Sequence, residues 1–515
     1  MAVQLNIAVL SILLLLFSTS IPKAQSTVVD VVAKYGAKAD EKTDLSTPLL
    51  HAWKEACAST TPSKIVIPKG TYRLSRATLD GPCKSAIELQ VSGTIKAPAD
   101  PSAFKDPNWV VFNHVDHLTI SGGGVFDGQG AAVWGKNNCA KNKYCAALPI
   151  NLRFNFVSNA IVQGITTKDS KQFHVNVLGC KNFTFQHFTV SAPENSINTD
   201  GIHIGRSNGI KILDTNIKTG DDCVSLGDGS KNVIVERVTC GPGHGISVGS
   251  LGKFKGEEPV SGIFIRNCTI SNTMNGVRVK TWPDSHPGSA TDMHFEDIIL
   301  NNVGNPILID QEYCPWNLCN LKVPSRVKLS NISFKKIWGT SSTQQAVKLV
   351  CSRGLPCDRV ELADIDITYK GPGGPAISQC INVKPRLSGK QNPPACSSPA
   401  RRTEGRAMAV VVAPAAMMDT WSQMKRPCKG PILGPRPLDC SVEFDKLLYE
   451  AVEVLTPDVA IGGGDTFNGA TGVATVVDVR VAVGGVEDRG DISVVVNGHG
   501  TRGCVAVVST PLDCP

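Results

Sequence analysis

From Ala160 onward, apolar and polar residues alternate in short runs that return at a nearly constant interval. The runs are Ala160–Ile165, Asn182–Val190, Ile210–Ile217, Val233–Thr239, Ile263–Ile270, Met293–Leu300, Val327–Phe334 and Val360–Ile367. Their starts lie about 22 to 34 residues apart, the range of a solenoid coil with corners of variable length. In Ile210-Lys-Ile-Leu-Asp-Thr-Asn-Ile217 the alternation sends one set of side chains inward and the other to solvent. Helical spacing is absent over this stretch. Pairs of such short strands are not stable alone, whereas stacking coil on coil buries a continuous core and satisfies the backbone except at the ends. The pattern predicts an all-β chain, a right-handed parallel β-helix. A β-propeller is the rival, but its blades need about 40 residues and four strands each.

A solenoid needs caps. Thr47–Ala58 carries Leu49, Leu50, Trp53, Ala56 and Cys57 at helical spacing and predicts a short N-terminal capping helix. Before it, Val28–Val32 and Tyr35–Gly36 read as a strand and a turn. After it, Ile65–Pro68, Thr71–Leu74 and Ile87–Leu89 read as the first, less regular coils. The apolar stretch Asn6–Phe17 is too short to span a bilayer and is followed by Lys23-Ala24-Gln25. Residues 1–24 are therefore expected to be a secretory signal peptide. The repeat stops near Cys396, so 25–396 is assigned to the β-helix and 397–515 to a C-terminal extension without an assigned function. That extension runs from the polar Arg401–Arg406 through the Ala/Val/Met-rich Met408–Met418 and the proline-punctuated Pro427–Pro437. Ser441–Leu455 reads as a helix there, and Val473–Val483 and Ile492–Val496 as strands.

Composition narrows the class. Hydrophobic residues at 42% and charged residues at 19% belong to a folded chain, and 6% aromatics with 48 glycines suit turn-rich β structure. The net charge of +7 mixes signs throughout, which is ordinary surface chemistry or attraction to a polyanion. No basic run is interleaved with aromatics, which argues against nucleic acid. The 18 cysteines lack the histidine spacing of a zinc site and, in an oxidising compartment, predict disulfides. Cys351 with Cys357 and Cys380 with Cys396 are the expected local pairs. Sequons at Asn182, Asn267 and Asn331 fit a glycosylated secreted protein.

The candidate chemistry sits in Asn198-Thr-Asp200, Gly220-Asp-Asp-Cys223, Gly243-His-Gly245 and Arg278-Val-Lys280. Asp200 precedes Asp221 by 21 residues and Asp222 precedes His244 by 22, both about one coil. Residues one coil apart stack on rungs about 4.8 Å apart. Three carboxylates and a histidine thus converge on one face, and Arg278 and Lys280, two apart on a strand, point to the same side. Glycoside cleavage needs an acid to protonate the leaving oxygen and a base to activate water. Crowded carboxylates repel one another's charge and keep at least one protonated. Taken singly, Asp-Asp and Gly-His-Gly are turns and Arg-x-Lys a solvated strand face. Gly122-Gly-Gly124 lacks dinucleotide-loop spacing, and His187 and His203, within strand-like runs, read as structural.

Together the four motifs resemble those of the polygalacturonases, glycoside hydrolase family 28. That pattern is Asn-Thr-Asp, Gly/Gln-Asp-Asp, Gly-His-Gly and Arg-Ile-Lys; Val279 replaces the isoleucine, and Asp310-Gln-Glu-Tyr313 matches the context of a following tyrosine. The resemblance spans roughly residues 28 to 396. It implies Asp221 as general acid, Asp200 and Asp222 as the pair that holds and activates water, and His244 as support for the acid's protonation. Asn198, Arg278, Lys280 and Tyr313 would bind substrate. It further implies inversion at the anomeric carbon, no metal or other cofactor, and polygalacturonic acid as the partner of a secreted, cell-wall protein expected to be a monomer. Gly245–Gly252, Asn275–Pro283 and Asp310–Cys319 resemble the plant pollen-type exopolygalacturonases, so exo attack is expected, with endo attack the alternative. A calcium-dependent pectate lyase and a non-catalytic wall-binding β-helix remain open.

Overall fold

Every run that alternates in the sequence folds as one strand or two successive ones whose inward residues are buried. In Asn208–Leu213, Ile210 and Ile212 are buried while Lys211 between them is exposed. The computed structural model describes residues 27–135 and 147–396, with three strands of the C-terminal part, 477–483, 491–498 and 507–511. Among the described residues, a 20-stranded and an 11-stranded sheet, each wholly parallel in its pairings, run the length of a right-handed parallel β-helix. One coil shows the path. The chain leaves Ile202–Gly205 in the smaller sheet, passes Asn208–Leu213 and Asn216–Lys218 in the larger, and returns at Val224–Leu226. In later coils the two larger-sheet segments fuse into single long strands, such as Gly288–Val303 and Val327–Ser341.

Asparagines recur at the corners where a strand begins. Asn159, Asn182 and Asn232 adopt positive φ near +50°, a conformation asparagine tolerates better than most residues. Their amides then bond from rung to rung: Asn182 donates to Asn159 at 2.7 Å and Asn232 to Asn208 at 2.8 Å. Inside, aromatics stack along the axis. Phe112 and Phe154 lie 5.0 Å apart and nearly parallel, and Phe154 meets Phe183 edge-on at 4.9 Å.

The capping helix is Ser46–Ala58, which buries Leu49, Ala52, Trp53 and Ala56 over the first coils. The preceding strand is shorter than expected, Thr27–Asp30, because Asp30 caps a helix at Val31–Tyr35 by accepting from the amides of Val32 and Ala33. Disulfides join Cys351 to Cys357 and Cys380 to Cys396 as expected, and also Cys57 to Cys83, Cys223 to Cys240 and Cys314 to Cys319. The chain divides into units 1–403 and 404–515. In the second, Val477–Val483 pairs antiparallel with Asp491–Gly498, which pairs antiparallel with Val507–Pro511. The first two match expected strands, and the third had no expectation. The expected signal peptide and the expected helix at Ser441–Leu455 lie outside the described residues.

Because Phe154 fills the axis between coils, Phe154→Ala should cost about 3–5 kcal/mol. A fall in denaturant midpoint at unchanged slope, largely restored by Phe154→Leu, is the expected result.

Candidate active site

The site stands on five consecutive rungs of the smaller sheet: Ile202–Gly205, Val224–Leu226, Ile246–Leu251, Asn275–Thr281 and Asn305–Asp310. Their inward residues, such as Ile204, Leu226, Val248, Val279 and Ile309, are fully buried and set which side chains face out. Register places His203, Ser225, Ser247 and Arg278 in one outward row. Asp200 and Asp222 each precede their strand by the same two residues, so Asp222 stacks on Asp200 and His244 on Asp222. Amide bonds fix this: Gly201 donates to the Asp222 carbonyl at 2.9 Å and Cys223 to that of Gly245 at 2.8 Å. Asp221, which the 21-residue interval aligned with Asp200, sits one position earlier.

The glycines of the motifs have steric causes. Gly245 has φ +85°, and a Cβ there would lie 2.1 Å from the Asn275 carbonyl oxygen. At Gly220 a Cβ would lie 2.2 Å from that of Ser196. Only glycine lets the rungs approach closely on both sides of the Asp-Asp pair. The Cys223–Cys240 disulfide begins at the residue after Asp222 and lies in the core beneath the pair.

Charge is arranged in two halves. Asp222 accepts from Arg278 Nη2 at 2.7 Å, Lys280 Nζ at 2.7 Å and Ser247 Oγ at 2.8 Å. Burial pushes its carboxyl up, but the Lys280 and Arg278 charges outweigh burial and hold it well below the usual carboxylate range. Asp200 has no such cation bonded to it. Burial, then repulsion from Asp221 and Asp222, raises it well above the ordinary value, against Lys280 and a 2.8 Å bond from Ser225. Asp221 is the more open, its side chain 21% exposed against 1% for Asp222, and it meets His244 Nδ1 at 3.1 Å. Burial lowers His244, but the bond and charge of Asp221 overcome it and the imidazole is raised.

These groups line one cavity of about 800 Å³, which Asn198 and Tyr313 also line. All eight predicted residues are thus brought together. The Tyr313 ring lies under Lys280 and Arg278, 5.2 and 5.9 Å from its centroid. Beyond it, Trp282 packs on Tyr313 and Trp316 at 5.5 and 5.4 Å, and the loop between is tied by Cys314–Cys319. Asp221, Asp222 and His244 each bring a ligand-type atom within 4.8 Å of the others. Both Asp222 oxygens already accept from cations and His244 faces Asp221, so the set is a hydrogen-bonded ion network. Ser225, Ser247 and the two tryptophans went unnoticed in the sequence. His203 lines the cavity rather than the core. Its signal was one-coil spacing, since His203 and Ser225 are 22 residues apart, as are Asp200 and Asp222.

The profile of glycosyl hydrolases family 28 matches residues 57–395. The chain belongs to glycosyl hydrolase family 28. This family 28 member is 60% identical over 403 residues to a polygalacturonase of Gossypium hirsutum, covering 78% of this chain and 99% of that protein. It is 61% identical over 360 residues to an exopolygalacturonase of Oenothera organensis, covering 70% and 99%. The crystal structure of endo-xylogalacturonan hydrolase from Aspergillus tubingensis, 24% identical, shares the fold with a TM-score of 0.61 over 72% of this chain and all of that one. Membership of a hydrolase family removes the lyase alternative.

His244 provides a check on the network. Its raised value means that the charged pair with Asp221 stabilises the fold below the ordinary histidine value of about 6.5 and loses that contribution as pH rises through the raised one. In Asp221→Asn the His244 titration, followed by proton NMR, should move to lower pH. An unmoved titration would separate the two groups.

Proposed function

We propose that this hydrolase is a secreted, cell-wall polygalacturonase that removes residues from the ends of α-1,4-galacturonan by an inverting acid/base mechanism. The observation that carries the reading is the pairing of Arg278 and Lys280 with buried Asp222 in the wall of a carbohydrate-sized cleft. Two cations poised there suit a substrate with a carboxylate on every sugar. Arg278 has five donors and Lys280 three. The bonds to Asp222 and Ser247 occupy only some of them.

Within this reading Asp221 is the general acid, because it is the carboxyl that opens to the cleft and His244 holds it. Asp200 and Asp222, stacked on adjacent rungs, flank the water, and one deprotonates it as it attacks from the far face. Burial and the neighbouring carboxylates raise Asp200 well above the ordinary carboxylate value. Asp200 and Asp222 face each other's charge, so a substrate that brings its own charges alters where a proton rests. His244 supports Asp221, and Asn198 and Tyr313 complete the sugar contacts. Exo attack is supported by the exopolygalacturonase relatives, and within this reading the Trp282–Trp316 stack, which lines the same cavity, receives the chain terminus.

Asp221→Asn keeps the shape and removes the transferable proton, so kcat on polygalacturonic acid should fall about 10²- to 10⁴-fold with KM largely kept. The wild-type enzyme should release monogalacturonate first, as the β-anomer, seen by proton NMR before mutarotation. Near-normal turnover in the variant or retained configuration overturns the roles, larger oligomers indicate endo attack, and an inert wild type indicates a wall-binding protein.

Residues 1–24 are proposed as the signal peptide, 25–396 as the catalytic unit and 397–515 as dispensable for it. A chain ending after Cys396 should be secreted with wild-type kcat. Loss of secretion or activity would make the extension part of the solenoid's cap.

A further inference from the structure

Among the described residues Asp200 bonds neither a lysine, an arginine nor an imidazole, and its hydroxyl partner leads elsewhere. Ser225 Oγ lies 2.8 Å from Asp200 Oδ2 and 2.7 Å from His203 Nδ1. His203 and Ser225 are register partners on adjacent strands, so the backbone ladder sets the contact. The imidazole packs against Phe173 at 5.1 Å and borders the cavity. No protein hydrogen bond reaches its Nε2 among the described residues, and Gly227 has no side chain to cover that edge, where a Cβ would lie 3.4 Å away.

The serine has a single hydroxyl hydrogen for two neighbours. With Asp200 protonated, Asp200 donates to Ser225, Ser225 donates to the Nδ1 lone pair, and the imidazole carries its hydrogen on Nε2. With Asp200 ionised, Ser225 donates to Asp200, and His203 must donate to Ser225 through Nδ1. Both patterns are complete, and they differ by one proton and by the tautomer of His203.

We propose that Ser225 and His203 are a proton relay that empties and refills Asp200 between turnovers, opening to the cleft at His203 Nε2. The inference rests on the proposed role of Asp200 in activating water. In the outward direction the Asp200 hydrogen passes to Ser225 Oγ as the serine's own hydrogen passes to Nδ1. The resulting imidazolium then gives its Nε2 hydrogen to water, leaving a carboxylate, a serine hydroxyl and a neutral imidazole. Burial, with the charge of Lys280 adding to it, holds His203 down at about 4, so the imidazolium passes its proton on. The other charges facing His203 are Asp222, Asp228 and Arg153, and those facing Asp200 are Asp221, Asp222 and Lys280. Ser225 and His203 act through Asp200 and are positioning residues.

The test uses the full secreted protein on polygalacturonic acid, with the wild type first. An inactive wild type would sink the proposed function, not the relay alone. Ser225→Ala and His203→Gln should each lower kcat about tenfold or more with KM within about twofold, and added imidazole should restore part of the loss. Ser225→Ala also removes a donor to the Asp200 carboxylate, so the acid limb of its kcat/KM profile should move to higher pH. Ser225→Thr keeps the hydroxyl and should restore kcat and the profile. Active variants with wild-type kcat, a loss confined to KM, or a loss indifferent to imidazole and to the threonine would overturn the relay. Should His203→Gln fail to be secreted, the alanine and threonine variants at Ser225 decide alone.

Discussion

The register between successive parallel rungs is the constraint from which the rest follows. Amide bonds such as Gly201 to Asp222 and Cys223 to Gly245 fix how far each coil advances, and they do so along an otherwise irregular chain. Once those bonds are set, Asp200, Asp222 and His244 occupy one column, and His203, Ser225, Ser247 and Arg278 the next. No side chain has to seek its partner. Backbone pairing over many buried coils supplies the precision that charged groups on flexible loops would lack.

That precision matters because like charges are held close in a poorly hydrated place. Asp222 tolerates burial only because Arg278 and Lys280 neutralise it, with Ser247 completing the shell. Asp200 and Asp221 have lesser partners, a hydroxyl for the one and an imidazole with the Asp222 amide for the other. The cluster is therefore uneven by construction: Asp222 is held firmly ionised while Asp200 is raised well above the ordinary value. Acid/base chemistry on a sugar needs that inequality.

Much of this was legible in the sequence, and the gaps have physical reasons. The larger sheet declared itself because its outward face meets solvent, so Ile210, Lys211 and Ile212 alternate plainly. The smaller sheet carries the site and hides its period. In Asn275–Thr281 every residue is buried, polar ones included, because the cleft covers the outward side. Asp200, Asp221, Asp222, His244, Arg278 and Lys280 stood out by type and spacing. Ser225 and Ser247 did not, since serine on a strand has no signature until its neighbours are known. Interval counting aligned Asp221 with Asp200, a slip of one residue that only the hydrogen bonds resolve. The tryptophan wall depends on a loop path that local patterning does not encode.

Coil lengths differ widely while the rungs stay aligned. Ile202 pairs with Val224, Val277 with Ile307, and Ile307 with Val347, so the chain between partners nearly doubles along the site without disturbing the ladder. Extra residues go into the corners, as in the segment after Asp310 that carries Tyr313 and Trp316. Insertions and deletions there can lengthen, narrow or block the groove while leaving the carboxylates in place. In such an architecture the reaction and the choice of substrate end can vary separately, because rungs hold the one and corners shape the other.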